Sequence, residues 1–324
     1  MTNALLEVED LKVHFPVRKG LFQRAQTFVY AVDGVSFQLN KGETLGVVGE
    51  SGCGKTTTGL AILNLVRATS GKIRFKGNDI SEIAGLPVPD QMRIRKELQI
   101  IFQDPYSSLN PRMTLNKILH DPMKIHGLYP GSERQDRIEF ILKKVGLTPE
   151  QGKKYPHEFS GGQRQRIGIA RALSLDPQII IGDEPVSALD VSIQAQIINL
   201  MVDLQEEFNL SYIIIAHDLA VVEHISNRIA VMYLGKIIET APVAQIYHRP
   251  QHPYTRALLS AVPIADPRAG RHPIILKGDV PSPRHPPTGC GFHPRCPECS
   301  IDCDIKPPEL RSLGKEHYVA CHYA

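Results

Sequence analysis

No stretch of this sequence approaches the roughly 18 to 20 consecutive apolar residues that a membrane-spanning helix needs. The most apolar runs, such as Ile179–Ile181 and Ile213–Ile215, are short and bounded by polar residues, as buried strands are. Met1–Glu9 is mildly apolar and acidic and lacks the basic start and apolar stretch of a secretory signal, so a cytoplasmic protein is expected. A formal net charge of +3 is too small to argue for nucleic acid or an anionic membrane surface. Cysteine is almost missing from the first 289 residues, where only Cys53 occurs, while five more fall between Cys290 and Cys321. In a reducing compartment that clustering argues for a metal site rather than disulfides. Neither internal repeats nor low-complexity tracts occur.

What is present is ordinary for a soluble globular chain: 42% hydrophobic and 22% charged residues over 324 positions, enough for one large domain and an appendage. Leu5–Phe15 and Val29–Leu39 alternate apolar and polar residues and predict strands with one exposed face. Pro16–Gln26 between them is basic and turn-rich and predicts a loop. Thr44–Val48 predicts a strand, Lys55 to about Arg67 a helix, and Lys72–Phe75 a strand. From about Asp104 to Phe159 the pattern turns helical, with breaks expected at Pro111, Pro122, Pro130 and Pro156. Gln163–Ser174 and Ser192–Phe208 predict helices, Gln178–Ile181 and Ser211–Ala216 buried strands. Ile229–Tyr233 and Lys236–Glu239 predict a hairpin around Leu234–Gly235. Strands alternating with helices imply a mostly parallel α/β sheet. After about Pro250 proline and histidine become frequent and periodicity fades, so a domain boundary is expected there.

Three motifs carry chemistry. Gly49-Glu50-Ser51-Gly52-Cys53-Gly54-Lys55-Thr56, between a predicted strand and helix, has the spacing of a phosphate-binding loop. Its glycines let backbone N–H groups wrap an anion, and the helix N-terminus adds a favourable dipole. Lys55 is expected to reach the β- and γ-phosphates of ATP, and Thr56 to ligate Mg²⁺. Next, the buried run from Gln178 delivers Asp183 and Glu184 at a strand end, where open α/β sheets bind ligands. One acid can hold Mg²⁺ and the next can act on the attacking water. Third, Ser160-Gly161-Gly162-Gln163 opens a helix, with Ser160 a fitting N-cap.

With these motifs in this order, residues of about 4–260 resemble the ATP-binding-cassette (ABC) family. The resemblance implies a P-loop NTPase cassette: a RecA-like, mostly parallel sheet, an antiparallel β subdomain, and a helical subdomain over about 104–160. A small cysteine-containing extension would follow over 261–324. It implies that Phe15 stacks on adenine, that Gly49–Thr56 with Thr57 cradles the phosphates, and that Gln103 senses Mg²⁺ and the membrane partner. Ser160, Gly161, Gly162 and Gln163 correspond to the signature that reaches ATP held by a second cassette. Asp183 corresponds to the Mg²⁺ carboxylate, Glu184 to the catalytic base, Asp190 to the D-loop acid, and His217 to the switch histidine at the γ-phosphate.

Finer likeness, in Phe102–Arg112, Phe159–Arg166, Asp183–Ser192 and His252–Thr255, is to the oligopeptide/dipeptide importer branch and its second, "F"-type, cassette. The implied partners are a second ATPase subunit, two permease subunits and, indirectly, an extracytoplasmic solute-binding protein, without nucleic acid. The implied location is peripheral, on the cytoplasmic face of the bacterial inner membrane. A nickel importer is the alternative; a soluble ABC ATPase acting on nucleic acid or ribosomes is a further one. Gly289–Cys296 and Val319–Cys321 resemble the same branch's C-terminal extension. There Cys290, Cys296, Cys303 and Cys321 would hold a [4Fe–4S] cluster, or alternatively Zn²⁺, as a structural site taking no part in hydrolysis. Cys299 falls outside that four-cysteine pattern, and Cys53 is expected to pack behind the phosphate loop.

Overall fold

The computed structural model describes residues 4–17, 27–262 and 273–324. In chain order the first elements are β1 (Ala4–Val17), β2 (Thr27–Asn40), β3 (Thr44–Val48), α1 (Lys55–Ile62), β4 (Ser70–Phe75) and β5 (Asn78–Asp79). There follow α2 (Val88–Glu97), β6 (Leu98–Ile101), α3 (Pro105–Ser108), α4 (Leu115–Ile125), α5 (Glu133–Lys144), α6 (Gly161–Leu173) and β7 (Ile179–Asp183). The rest are α7 (Val191–Phe208), β8 (Ser211–Ala216), α8 (Leu219–Ile225), β9 (Arg228–Tyr233), β10 (Lys236–Pro242), α9 (Val243–His248), α10 (Pro253–Ser260), β11 (Arg311–Gly314) and β12 (His317–Val319).

The chain forms two compact units. One consists of the described residues of Met1–Asn40, Leu45–Glu82 and Ala216–Ala324. It carries an antiparallel sheet in the order β2-β1-β4-β5 and a mixed run in the order β11-β12-β10-β9-β3, with β3 parallel to β9. The alternation of β1 is realised: Leu6, Val8, Leu11 and Val13 are buried, with Val32, Val35, Leu39, Ile73 and Phe75 also in the core. β9 and β10 form the expected hairpin, with Leu234 at φ 45° and Gly235 at φ 76°. Two successive left-handed residues match the right-handed twist of the strands they join.

The second unit consists of Lys41–Thr44 and Ile83–Ile215. Its strands β8, β7 and β6 are parallel neighbours in that order. Ile179–Ile181 and Ile213–Ile215 are all buried, which is why these runs are apolar throughout and not alternating. Helices α4 and α5 bury Leu115, Ile118, Leu119 and Met123, and Ile138, Ile141 and Leu142, at helical spacing.

Several expectations are corrected. Helix α1 stops at Ile62, not near Arg67, because Asn64 turns left-handed at φ 54° and donates Nδ2 to Ile80 O at 2.9 Å. Pro122 lies inside α4 and does not break it; burial of that helix's apolar face outweighs a proline cost of about 3 kcal/mol. Pro16 and Val17 extend β1 by pairing with Phe28 and Thr27, while 18–26 of the expected loop lie outside the described residues. Beyond the point where periodicity fades, β12 pairs with β10 and with β11.

Candidate functional site

The residues singled out above divide between the two units. In the first unit, β3 ends in the loop Gly49–Gly54 and α1 begins at Lys55. Gly49, Gly52 and Gly54 stand at φ 153°, 81° and 105°. A Cβ on Gly49 would meet Met232 O at 2.2 Å, and one on Gly54 would meet Ala31 O at 2.1 Å, so only glycine fits at either position. Lys55 is buried, and its Nζ donates to Gly49 O at 2.8 Å and Glu50 O at 3.1 Å. The ammonium is thus held at the loop by backbone carbonyls. Thr56 is exposed at the start of α1, and Thr57 follows it half-buried. Burial raises the Cys53 thiol above its ordinary range, so it packs as a small neutral group, as expected. Phe15 lies on β1, 42% exposed, a fraction that leaves its ring able to stack on a base. His217 is exposed at the end of β8, just before Asp218, which caps α8 by accepting from Ala220 N–H at 2.8 Å.

In the second unit β7 carries Asp183, buried, and leads directly to Glu184, half-buried. Glu184 adopts φ 46°, an uncommon conformation for a residue with a side chain. Its N–H donates to Ile215 O at 2.9 Å. Gln103, just past β6, donates Nε2 to Glu184 Oε2 at 2.9 Å. Two residues 81 positions apart are therefore joined side chain to side chain. Ser160 caps α6 in a reciprocal box: Gln163 N–H donates to Ser160 Oγ at 3.4 Å, and Ser160 N–H to Gln163 Oε1 at 3.0 Å. Gly161 and Gly162 open the helix, and a Cβ on Gly162 would meet Ile193 Cγ2 at 2.6 Å. The N-cap reading of Ser160 describes its local geometry; the residue itself is exposed. Asp190 is exposed at the N-cap of α7.

Cys290, Cys296, Cys303 and Cys321 line one small cavity of about 20 Å³, together with His252, Phe292 and His293 among others. That is room for about one water. Burial pushes the Cys296 thiol up to about 11 and raises Cys290. Among the described residues no three His, Cys, Asp or Glu side chains are arranged to hold a metal ion. The expected cluster therefore finds its four thiols on one cavity, without a formed metal-ligand geometry among the described residues.

Two residues missed by sequence reasoning lie at the phosphate loop. Tyr254 Oη accepts from Glu50 N–H at 2.8 Å, and Arg295 pairs with the Glu50 carboxylate at 2.7 Å. Both stand within stretches that resemble the importer branch, but nothing local signals a partner 204 or 245 positions away. The turn that carries Arg295, in the C-terminal extension, thus reaches the phosphate loop within the same unit. Among the described residues no helix is long and apolar enough to cross a membrane.

Residues 32–187 match the ABC transporter family, and residues 238–303 match the oligopeptide/dipeptide transporter C-terminal region. The chain is 55% identical to the oligopeptide transport ATP-binding protein AppF of Bacillus subtilis, over 98% of this chain and 97% of that one. It is 52% identical to OppF of Salmonella typhimurium (98% and 95%) and 49% identical to the dipeptide transport ATP-binding protein DppF of Haemophilus influenzae (98% and 96%). Among solved structures it resembles CbiO1 of Clostridium perfringens, part of the ABC transporter complex CbiONQ. The TM-score is 0.64 at 25% identity, covering 76% of this chain and 92% of that one. A dimeric ATP-binding cassette in a post-hydrolysis state with ADP and Pi gives 0.63 at 26%, covering 74% and 98%. The mixed parallel and antiparallel α/β fold, the phosphate loop and these full-length relatives agree: the chain belongs to the ABC transporter ATP-binding proteins of the oligopeptide/dipeptide transport family.

Proposed function

We propose that this chain binds and hydrolyses ATP to energise an importer of dipeptides or oligopeptides. The observation that carries the reading is full-length identity of about half with peptide-transport ATP-binding proteins, joined to an intact phosphate loop. Lys55 and the loop backbone bind the β- and γ-phosphates, Phe15 stacks on adenine, and Thr57 supports the loop. The hydroxyl of Thr56 and the carboxylate of Asp183 are hard oxygen donors that suit Mg²⁺, with Gln103 beside them in role. When bound, that ion neutralises charge on the phosphates. Glu184 orients and deprotonates the attacking water, and Gln103 fixes the Glu184 carboxylate through the 2.9 Å bond. His217 donates to the γ-phosphate. Ser160 and the signature backbone reach ATP held by a second ATPase subunit, with Asp190 near that junction. The working assembly pairs this chain with that subunit and two permease subunits, on the cytoplasmic face of the inner membrane, and a solute-binding protein selects the peptide.

Glu184→Gln tests the catalytic assignment. Hydrolysis by the assembled transporter should fall by about 10² or more while MgATP still binds. Turnover within a few-fold of the parent would remove Glu184 from that role. A strain lacking the chain should lose uptake of labelled short peptides; intact peptide uptake with lost nickel uptake would favour the nickel reading.

For the tail we propose a thiolate site, a [4Fe–4S] cluster ahead of Zn²⁺. The support is the donor set of four cysteines lining one cavity. Iron, sulfide and zinc analysis of anaerobically purified protein decides between them, and metal-free protein with an ordered tail would overturn both.

A further inference from the structure

Glu50 places a carboxylate in the loop that wraps the triphosphate. Like charges at close range repel, so an unrestrained anion there opposes nucleotide binding. That carboxylate is gripped by a residue from the far end of the sequence. Arg295 Nη1 donates to Glu50 Oε2 at 2.7 Å and Nη2 to Oε1 at 3.2 Å, a two-pronged pairing that fixes both the charge and the plane of the carboxylate. The two side chains are 8% and 28% exposed, so the pair is sheltered from solvent. The hydrogen bonds to Glu50 hold the Arg295 guanidinium above its already high range.

Buried packing sets where Arg295 stands. Phe292, in the turn just before it, is 1% exposed. Its ring lies 5.3 Å from that of Tyr233 and 5.5 Å from that of Tyr254, in edge-to-face contact. Tyr254 in turn accepts from the Glu50 N–H at 2.8 Å. Backbone and carboxylate of the same loop residue are thus tied to one aromatic cluster. Within the turn, His293 N–H donates to Cys290 O at 2.9 Å and Cys296 N–H to His293 O at 3.2 Å, which brackets Arg295.

We propose that Arg295 is a positioning residue for nucleotide binding: it holds the Glu50 carboxylate off the triphosphate, so that the loop presents donors and not an anion. The inference rests on the ATP-binding reading above. It makes the C-terminal extension part of the nucleotide site through a single charge pair.

The test is a double-mutant cycle on the full chain, read as the Kd for MgATP by calorimetry. Arg295→Gln should weaken binding roughly tenfold, less than two unit charges in contact near a surface would give, because solvent and salt screen the released carboxylate. In a Glu50→Gln background the same change should weaken it less than about twofold, because no carboxylate remains to be held. Equal loss in both backgrounds would overturn the proposal, since Arg295 would then act on the nucleotide directly or on the fold alone. So would a Kd unchanged by Arg295→Gln. If Arg295→Gln does not give folded protein, Arg295→Lys serves in both backgrounds; one ammonium cannot grip both oxygens, and a loss of about threefold confined to the Glu50 background is expected. Equal loss from Arg295→Lys in the two backgrounds, or none in either, overturns the proposal likewise. A parent chain that binds no MgATP would overturn the ATP-binding reading instead.

Discussion

Replacing Glu239 by Ala should loosen the C-terminal part of the first unit. Glu239 lies on β10 with no exposed surface. Its carboxylate accepts from Gln251 N–H at 2.7 Å and His252 N–H at 3.0 Å, the backbone donors at the start of α10. His317 Nε2, on β12, lies 2.7 Å from the same group. One side chain therefore ties a central strand, a helix N-terminus and the last strand. Removing it orphans the buried His252 N–H, the part-buried Gln251 N–H and a buried imidazole, each costing up to about 1–3 kcal/mol when unsatisfied. The sum is reduced by whatever water enters the space, so about 3–5 kcal/mol is expected. At about 1.4 kcal/mol per tenfold, exchange of the Gln251 and His252 amides should accelerate by about 10² to 4 × 10³. Glu239→Gln keeps one acceptor oxygen and should fall between. Hydrogen exchange on the full chain measures this. Unchanged protection at both amides in Glu239→Ala, with stability altered by less than about 1 kcal/mol, would refute the reasoning.

Gly54→Ala should abolish MgATP binding, because its Cβ would lie 2.1 Å from Ala31 O at a φ of 105°. Gly52→Ala, with nothing within 4 Å, should cost only the backbone strain of about 1 kcal/mol; calorimetry and thermal melts of the two variants check the contrast. His252 is pushed down to about 3, first by burial and then by the Arg256 charge. The unfolded chain binds this proton near 6.5 and the folded chain does not, so this stability is full above about pH 6.5 and is lost as pH falls toward about 3. His252→Asn keeps an acceptor for the Tyr254 N–H, which His252 Nδ1 now takes at 3.1 Å, and does not titrate. Urea midpoints at about pH 7 and about pH 5 should differ less in that variant than in the parent, and an equal difference would contradict the assignment.

Much of this was legible in the sequence because the informative residues are local. The strands β3, β7 and β8 announce themselves as short apolar runs, and the phosphate loop needs its glycines at fixed spacing. β6 was not legible. Leu98-Gln99-Ile100-Ile101 is too short to carry a period, and only parallel pairing with β7 makes it a strand. Pro122 misled because local chemistry breaks helices there, while tertiary burial of Leu119 and Met123 keeps this one. At the site, Glu184 and Gln103 belong to separate motifs, and their hydrogen bond joins residues that no local window could pair. The clustering and family likeness of four cysteines point to a shared site, and the fold does bring their thiols to one cavity, which no spacing rule alone could place.

Tyr254 and Arg295 show why the tail cannot be judged by sequence distance. The loop from Gly49 to Gly54 is held on several sides within its own unit: Gly49 backs onto Met232, Gly54 onto Ala31, and Gly235 N–H donates to Cys53 O at 2.9 Å. Those contacts fix the strand side of the loop. Glu50 is fixed by groups that arrive only with α10 and the turn of Phe292 to Arg295. A loop already ordered before ATP arrives loses less conformational entropy on binding, and that saving appears directly as affinity. A chain truncated after α9 would retain every motif residue of the nucleotide site and lose both anchors of Glu50. Its motifs would be intact, but its loop would be less ordered and would carry an unpaired anion facing the phosphates.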